Sequence, residues 1–226
     1  MFEEKLSSKK NEVYKRERKL NGKTLYVVEK EISENKRFHT ELTLAKLLAG
    51  SGVNTPRLLD FSYPSENKNG KLIYEYIDGS IALESLSDKD YAKEVLRQIV
   101  KWMEHFYEIT SQQLGELWIL GDVHLRNFIY SREQKKLYGF DFEEAEKGLA
   151  EQDIARLFLF IATYEPQYSE LHMELAEFFL NEALNMFDIE KARLIEEIHL
   201  EAKHMTVRRN REINTELLIA VVNFLL

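Results

Sequence analysis

LGDVHLRNFIY at residues 120–130 and GFDFEEA at residues 139–145 say more about this chain than any other part of it. Three polar residues stand at fixed intervals: Asp122, then Asn127 five positions on, then Asp141 fourteen positions after that. Between them, Phe128 to Tyr130 and Lys136 to Phe142 are two short β-prone runs around a polar turn, which predicts a hairpin. Asn127 and Asp141 then lie on opposite sides of one hairpin, and Asp122 in the loop that leads into it. A hydrogen-bonded hairpin is the kind of rigid mount a chemical site requires.

Outward from this hairpin the pattern divides in two. Everything from Gln152 onward is helical in pattern. Upstream, Ser87 with Asp90 three residues on reads as a capping box, and Tyr91 to Tyr107 carries an apolar stripe through Val95, Ile99, Met103 and Phe106, predicting a long helix. The N-terminal part differs. Glu12 to Arg18 and Gly22 to Glu31 form a predicted hairpin around the Asn21-Gly22 turn, followed by a helix from Phe38 to Leu48 that stops at Gly50. Two more strands, Arg57 to Tyr63 and Lys71 to Ile77, flank a turn from Glu66 to Gly70. The order β, β, α, β, β fits a small twisted sheet with one helix, and Asp78-Gly79 is the expected hinge.

The loop GDVHLRN, with Gly121, Asp122, His124 and Asn127, and the later Asp141-Phe142 resemble the kinase-like superfamily, in particular its atypical branches with an HGDxHxxN loop. These include the aminoglycoside and choline phosphotransferases and the RIO, KEOPS-complex and lipopolysaccharide kinases; the compact spacing is most similar to the last three. The resemblance implies an α+β, two-lobed protein-kinase-like fold. Residues 1–77 would form an N-lobe with an antiparallel sheet and one helix, and residues 78–226 a mainly helical C-lobe. It also implies chemistry. Asp122 would act as catalytic base toward an acceptor hydroxyl, while Asn127 and Asp141 would supply oxygen ligands to Mg2+ bridging the phosphates of ATP.

A kinase-like fold also needs a strand lysine for the α- and β-phosphates and a helix glutamate to orient it. Val27-Val28-Glu29-Lys30 matches V-A-I-K, and strand alternation puts Val28 and Lys30 on one face, as adenine roof and phosphate contact. Glu41, early on the following helix, is the expected partner of Lys30. LIYEYIDG is similar to the hinge strand of these enzymes, so backbone groups of Glu75, Tyr76 and Ile77 would meet the adenine edge. Asp153, in Gln152-Asp153-Ile154-Ala155, resembles the aspartate that braces the catalytic loop through backbone hydrogen bonds. Two departures stand out. Residues 1–22 contain no G-x-G-x-x-G, so Leu6 to Lys10 (LSSKK) would replace the phosphate-covering loop, with Ser7 and Ser8 as donors. Leu120 occupies the place of the family's first loop histidine.

Composition restricts the alternatives. The 226 residues carry a net charge of -8, which disfavours a broad nucleic-acid surface, and contain no cysteine, which excludes disulfides and thiolate chemistry. The six histidines lack metal-ligand spacing. No apolar run is long enough to span a bilayer and the charged N-terminus is no secretory signal, so a cytoplasmic protein is expected. Two basic patches, Lys9 to Lys19 and Arg208, Arg209 with Arg211, read as solvated faces, the second being the conceivable contact for RNA. The compact layout suits a small serine/threonine protein kinase. The rival readings are a small-molecule kinase for a sugar, glycolipid or aminoglycoside-like acceptor, and a nucleotide-binding pseudokinase scaffold. FEEAEKGLAE (142–151) holds no Ser, Thr or Tyr, so no activation-loop phosphosite is expected.

Overall fold

The computed structural model describes residues 2–8, 10–20 and 23–226. Lys9 and the expected Asn21-Gly22 turn lie outside the described residues. The N-terminal part is a five-stranded antiparallel sheet of β1 (Glu3–Lys5), β2 (Glu12–Leu20), β3 (Lys23–Ile32), β4 (Leu58–Ser62) and β5 (Gly70–Glu75), in the order β1-β2-β3-β5-β4. Pairing of Val28 with Tyr74 and of Lys30 with Leu72 puts these four residues on the face covered by helix α1 (Asn35–Leu48). There Phe38, Leu42 and Ala45 meet Ile32, Leu72 and Tyr74 in a small core. Each large apolar side chain buried in it contributes about 1.5–3 kcal/mol. Gly70 makes room for it, because a Cβ at that position would stand 2.3 Å from the Phe38 ring.

The opposite face of β3 carries Glu29, only 1% exposed and bonded to Arg16 (2.8 Å), Arg18 (2.5 Å) and Lys71 (3.4 Å). Part of the basic stretch expected to be solvated is thus turned onto a buried carboxylate. Burial pushes the Glu29 carboxyl up, but the surrounding cations more than offset it and hold its pKa below the ordinary value.

The C-terminal part begins with β6 (Ser80–Ile81) and continues through α2 (Lys89–Leu114), β7 (Trp118–Ile119), the hairpin β8 (Phe128–Ser131) and β9 (Lys136–Gly139), and β10 (Glu146–Lys147). Four helices follow, α3 (Ala150–Ala162), α4 (Glu170–Met186), α5 (Lys191–Arg209) and α6 (Thr215–Leu225). β6 pairs with β8, and β7 with β10. The α2 cap departs from expectation. Asp88, not Ser87, is the N-cap, accepting the Tyr91 N–H, while the Ser87 hydroxyl donates to the Glu84 carbonyl. Both residue types cap well, and the choice falls to the one whose oxygen reaches the N–H three residues on.

Leu44, Leu48 and Val53, at the end of α1 and just beyond it, join the large core of the helical part, alongside Ile99, Met103 and Phe106 of α2 and Phe158 of α3. The Asn54 carbonyl accepts the Trp102 indole N–H (2.7 Å) and the Gly139 N–H (3.1 Å), so the segment after α1 is fixed to both α2 and the hairpin. Among the described residues, no helix is long and apolar enough to cross a membrane.

Candidate active site

Lys30 stands at the centre of the site. Its Nζ lies 3.3 Å from Glu41 Oε2, 2.5 Å from Asp141 Oδ1 and 2.9 Å from Glu143 Oε2. The strand lysine, the helix glutamate and the hairpin-end aspartate are therefore brought together. Glu41 is held from two further sides, accepting the Tyr74 hydroxyl (2.9 Å) and the Phe142 backbone N–H (2.6 Å). Burial alone would push the lysine toward neutrality, but Glu41, Asp141 and Glu143 outweigh it and raise its pKa, so Lys30 stays charged. Burial pushes Glu41 up, Lys30 pulls it back, and the neighbouring Asp141 and Glu143 leave it above the ordinary carboxylate value.

The hairpin sets the second group. The Phe140 N–H donates to the Asn127 carbonyl at 3.0 Å, one step beyond the β8–β9 ladder. The chain then turns sharply, with Asp141 in the left-handed region at φ +72°. The Asn127 amide Nδ2 donates to the Asp122 carbonyl at 2.9 Å, which leaves its Oδ1 as the available acceptor. Asn127 Oδ1 and the Asp141 carboxylate are the two oxygen donors that would hold a hard cation such as Mg2+. Among the described residues no group of three or more His, Asp or Glu has metal-holding geometry. The charge balance fits a divalent ion all the same: Glu41, Asp141 and Glu143 around the single Lys30 leave two negative charges in excess.

The 120–127 loop is braced from behind. Buried Asp153 in the first turns of α3 accepts the Leu120 N–H (2.7 Å), the Gly121 N–H (3.2 Å) and the Tyr107 hydroxyl (3.0 Å). Burial raises its pKa to about 6 against the pull of those bonds. Gly121 adopts φ +73° and lies so close to the Glu144 carbonyl that a Cβ would come within 2.1 Å of it, so only glycine lets the two loops touch. His124 packs against Phe160 with its Nδ1 buried and unbonded, and burial lowers its pKa.

The β1–β2 loop closes over the front. Lys10 Nζ lies 3.3 Å from Asp122 Oδ2 and 2.7 Å from Glu144 Oε1, and Asn11 Nδ2 donates to Glu143 at 2.5 Å. Arg37 of α1 also reaches Glu144, at 2.9 Å. Burial pushes the Asp122 carboxyl up, but Lys10 and His124 outweigh it and hold its pKa below the ordinary value. Lys10 is the end of the Leu6 to Lys10 segment expected over the phosphates, where Ser7 and Ser8 are the expected donors, while Asn11, Glu143 and Glu144 are site residues that sequence reasoning did not single out. Only the acidic pair following Asp141 gave a signal.

At the expected adenine edge, the Glu75 N–H is committed to the Arg57 carbonyl (2.9 Å) and the Tyr76 N–H to the Tyr26 carbonyl (3.3 Å). Ile77 has the N–H without a partner among the described residues. Lys15 lies 3.7 Å over the Tyr76 ring. The C-terminal arginines are exposed and each has a partner: Arg208 binds Glu201, Arg209 binds the Thr163 carbonyl and hydroxyl, and Arg211 binds Glu165.

No family model and no curated protein matches this sequence. Among solved structures, the PK-1 kinase of Cydia pomonella granulovirus is similar, with a TM-score of 0.52 and 16% identity over 82% of this chain and 69% of that one. At that identity the likeness speaks for the fold alone, and the fold is kinase-like.

Proposed function

We propose that this chain is an ATP- and Mg2+-dependent phosphotransferase that moves the γ-phosphoryl group to an alcohol. The observation that carries this reading is the buried Lys30 held at once by Glu41 of α1 and by Asp141 at the end of the hairpin. A lysine kept charged and fixed at that depth suits the α- and β-phosphates, with adenine packed on Val28 and its edge meeting the open Ile77 N–H. When bound between Asn127 and Asp141, Mg2+ neutralises charge on the phosphates.

Asp122 is the group placed to receive the acceptor's proton, and its depressed pKa keeps it ionised. Lys10 takes the place of the glycine-rich loop. It offers a positive charge from above the site, where such a loop would offer backbone N–H groups. The compact chain suits a serine or threonine of a protein as acceptor, in the cytoplasm where ATP is plentiful. A second reading, a small-molecule acceptor, is favoured by a cavity of about 750 Å³ that Asp122 lines.

The test is consumption of γ-labelled ATP with Mg2+ by the wild type, Asp122→Asn and Asp141→Asn. The expected result is turnover or autophosphorylation that drops by about 10²–10⁴-fold in Asp122→Asn and is abolished in Asp141→Asn. A wild type that shows neither turnover nor a Mg2+-dependent thermal shift with ATP refutes the assignment.

A further inference from the structure

Beside Asp122 lies a cavity of about 750 Å³, bounded by the start of α1, the 120–127 loop, the turn after Asp141 and the facing sides of α3 and α5. Small-ligand sites run to about 300–1,000 Å³. The acids of its near wall are engaged: Glu34 with Arg37, Asp122 with Lys10, Glu143 with Lys30, and Glu144 with Lys10 and Arg37. Glu146, on the rim, is exposed.

The far wall differs in sign. Arg156 of α3 and Arg208 of α5 both line the cavity, and both bind one carboxylate, Glu201, whose side chain is 6% exposed. The Arg156 Nε donates to it at 3.1 Å, and Arg208 reaches it through Nη2. The two guanidiniums share one carboxylate, with Glu197 the next acid near Arg156. Their remaining N–H groups have no partner among the described residues. Lys36, on the same cavity, makes no ion pair among them either. A buried carboxylate that fixes two planar forks is a preorganised receptor for an anion, because each fork presents parallel donors to a carboxylate or phosphate.

We infer that this cavity receives the acceptor, and that the acceptor is a small hydroxyl compound bearing its own carboxylate or phosphate, held by Arg156 and Arg208 while its hydroxyl faces Asp122. The inference rests on the phosphotransferase reading above. In the transfer, the acceptor oxygen forms a bond to the γ-phosphorus and the bond from that phosphorus to the β,γ-bridging oxygen breaks. The hydroxyl proton passes to the Asp122 carboxylate, and ADP leaves with the bond's electron pair. A cationic acceptor would set like charge against the arginine pair and is disfavoured.

The experiment measures direct binding, without ATP, of glucuronate, glucose 6-phosphate and glucose to the full chain, using wild type, Arg208→Gln and Arg208→Lys. An anionic sugar should bind where glucose does not, and the better of the two anions identifies the group recognised. Arg208→Gln should weaken that binding by about 10–100-fold, the worth of one charge-assisted hydrogen bond, and Arg208→Lys should keep part of it. Arg208 is more than half exposed at the end of its helix, and circular dichroism checks that both variants fold. Equal binding of glucose, no binding of either anion at millimolar concentration, or binding unmoved by Arg208→Gln overturns the inference. So does phosphorylation of a serine peptide by a chain that binds neither anion. Because binding is read without nucleotide, failure here beside intact ATP turnover sinks only this inference. Anion binding in a chain that never turns over ATP sinks the phosphotransferase reading instead.

Discussion

Asp153 should make this protein less stable as the pH rises through the mildly acidic range, the reverse of what a salt-bridged carboxylate does. The side chain is fully buried, and burial raises its pKa from 3.8 to about 6. The native state therefore holds a proton that the unfolded chain has already released, so unfolding becomes easier as pH climbs from the unfolded to the native value. The shift of about two units is worth about 3 kcal/mol at 1.36 kcal/mol per unit, complete above both pKa values. Between about pH 4.5 and about pH 7 the span is about 2 kcal/mol, or about 4–8 °C in Tm for a chain of this size.

The assay is urea unfolding of wild type and Asp153→Asn across that range. Asparagine does not titrate, so the difference between the two isolates this one group. Wild-type stability relative to the variant should fall by about 2 kcal/mol from the acidic to the neutral end. The cost does not make the aspartate dispensable. Two backbone N–H groups converge on its oxygens, and an asparagine would turn its own NH2 toward one of them. A pH-independent difference, or one that grows with pH, would refute the reasoning.

Three further outcomes follow from the same geometry. Lys30→Met should lower stability at neutral pH by about 3–5 kcal/mol, because it leaves Glu41, Asp141 and Glu143 facing one another without a counter-charge; a loss under about 1 kcal/mol in urea unfolding would contradict this. Gly121→Ala should cost clearly more than Gly50→Ala. Both residues have positive φ, but only at position 121 does the new Cβ run into a carbonyl, while position 50 has nothing within 4 Å and should show the bare left-handed penalty of about 1 kcal/mol; equal Tm losses would refute the clash. Lys10→Ala should change stability by less than about 1 kcal/mol, since the pair is well exposed. It should nevertheless move the acidic limb of the pH–rate profile upward, because Asp122 loses the cation that lowers its pKa; an unmoved limb would remove Lys10 from the site's chemistry.

What could be read from the sequence, and what could not, divides by range. Asp122, Asn127, Asp141 and Lys30 could be picked out because the kinase-like loop, turn and strand motifs they resemble are local in sequence. Lys10 is within reach only as the end of the Leu6 to Lys10 segment, with Ser7 and Ser8 as the expected donors, and not as the partner of Asp122. Its position depends on β1, whose residues Glu3–Lys5 are all exposed and charged, so no alternation marks the strand that turns the next segment into a loop over the site. Arg156 and Arg208 sit on different helices and are joined only by a shared Glu201, a contact that the packing of α3 on α5 creates and no local pattern encodes. The C-terminal arginines, expected on a solvated face, are exposed, but the acids they pair with lie too far along the chain for a local pattern to name.

The acidic pair Glu143-Glu144 lies between these cases and shows what the sequence lacked. Nothing in the sequence distinguishes the two adjacent carboxylates after Asp141, yet the fold uses them separately. The turn that ends with the Ala145 N–H on the Phe142 carbonyl (3.0 Å) sends Glu143 inward to Lys30 and Glu144 outward to Lys10 and Arg37. One turn therefore links the buried lysine to the covering loop. Under the phosphotransferase reading proposed above, nucleotide phosphates would compete with Glu143 for Lys30 and with Asp122 and Glu144 for Lys10. On that reading, Lys10 over the site is held by the same carboxylates that a phosphate would compete with.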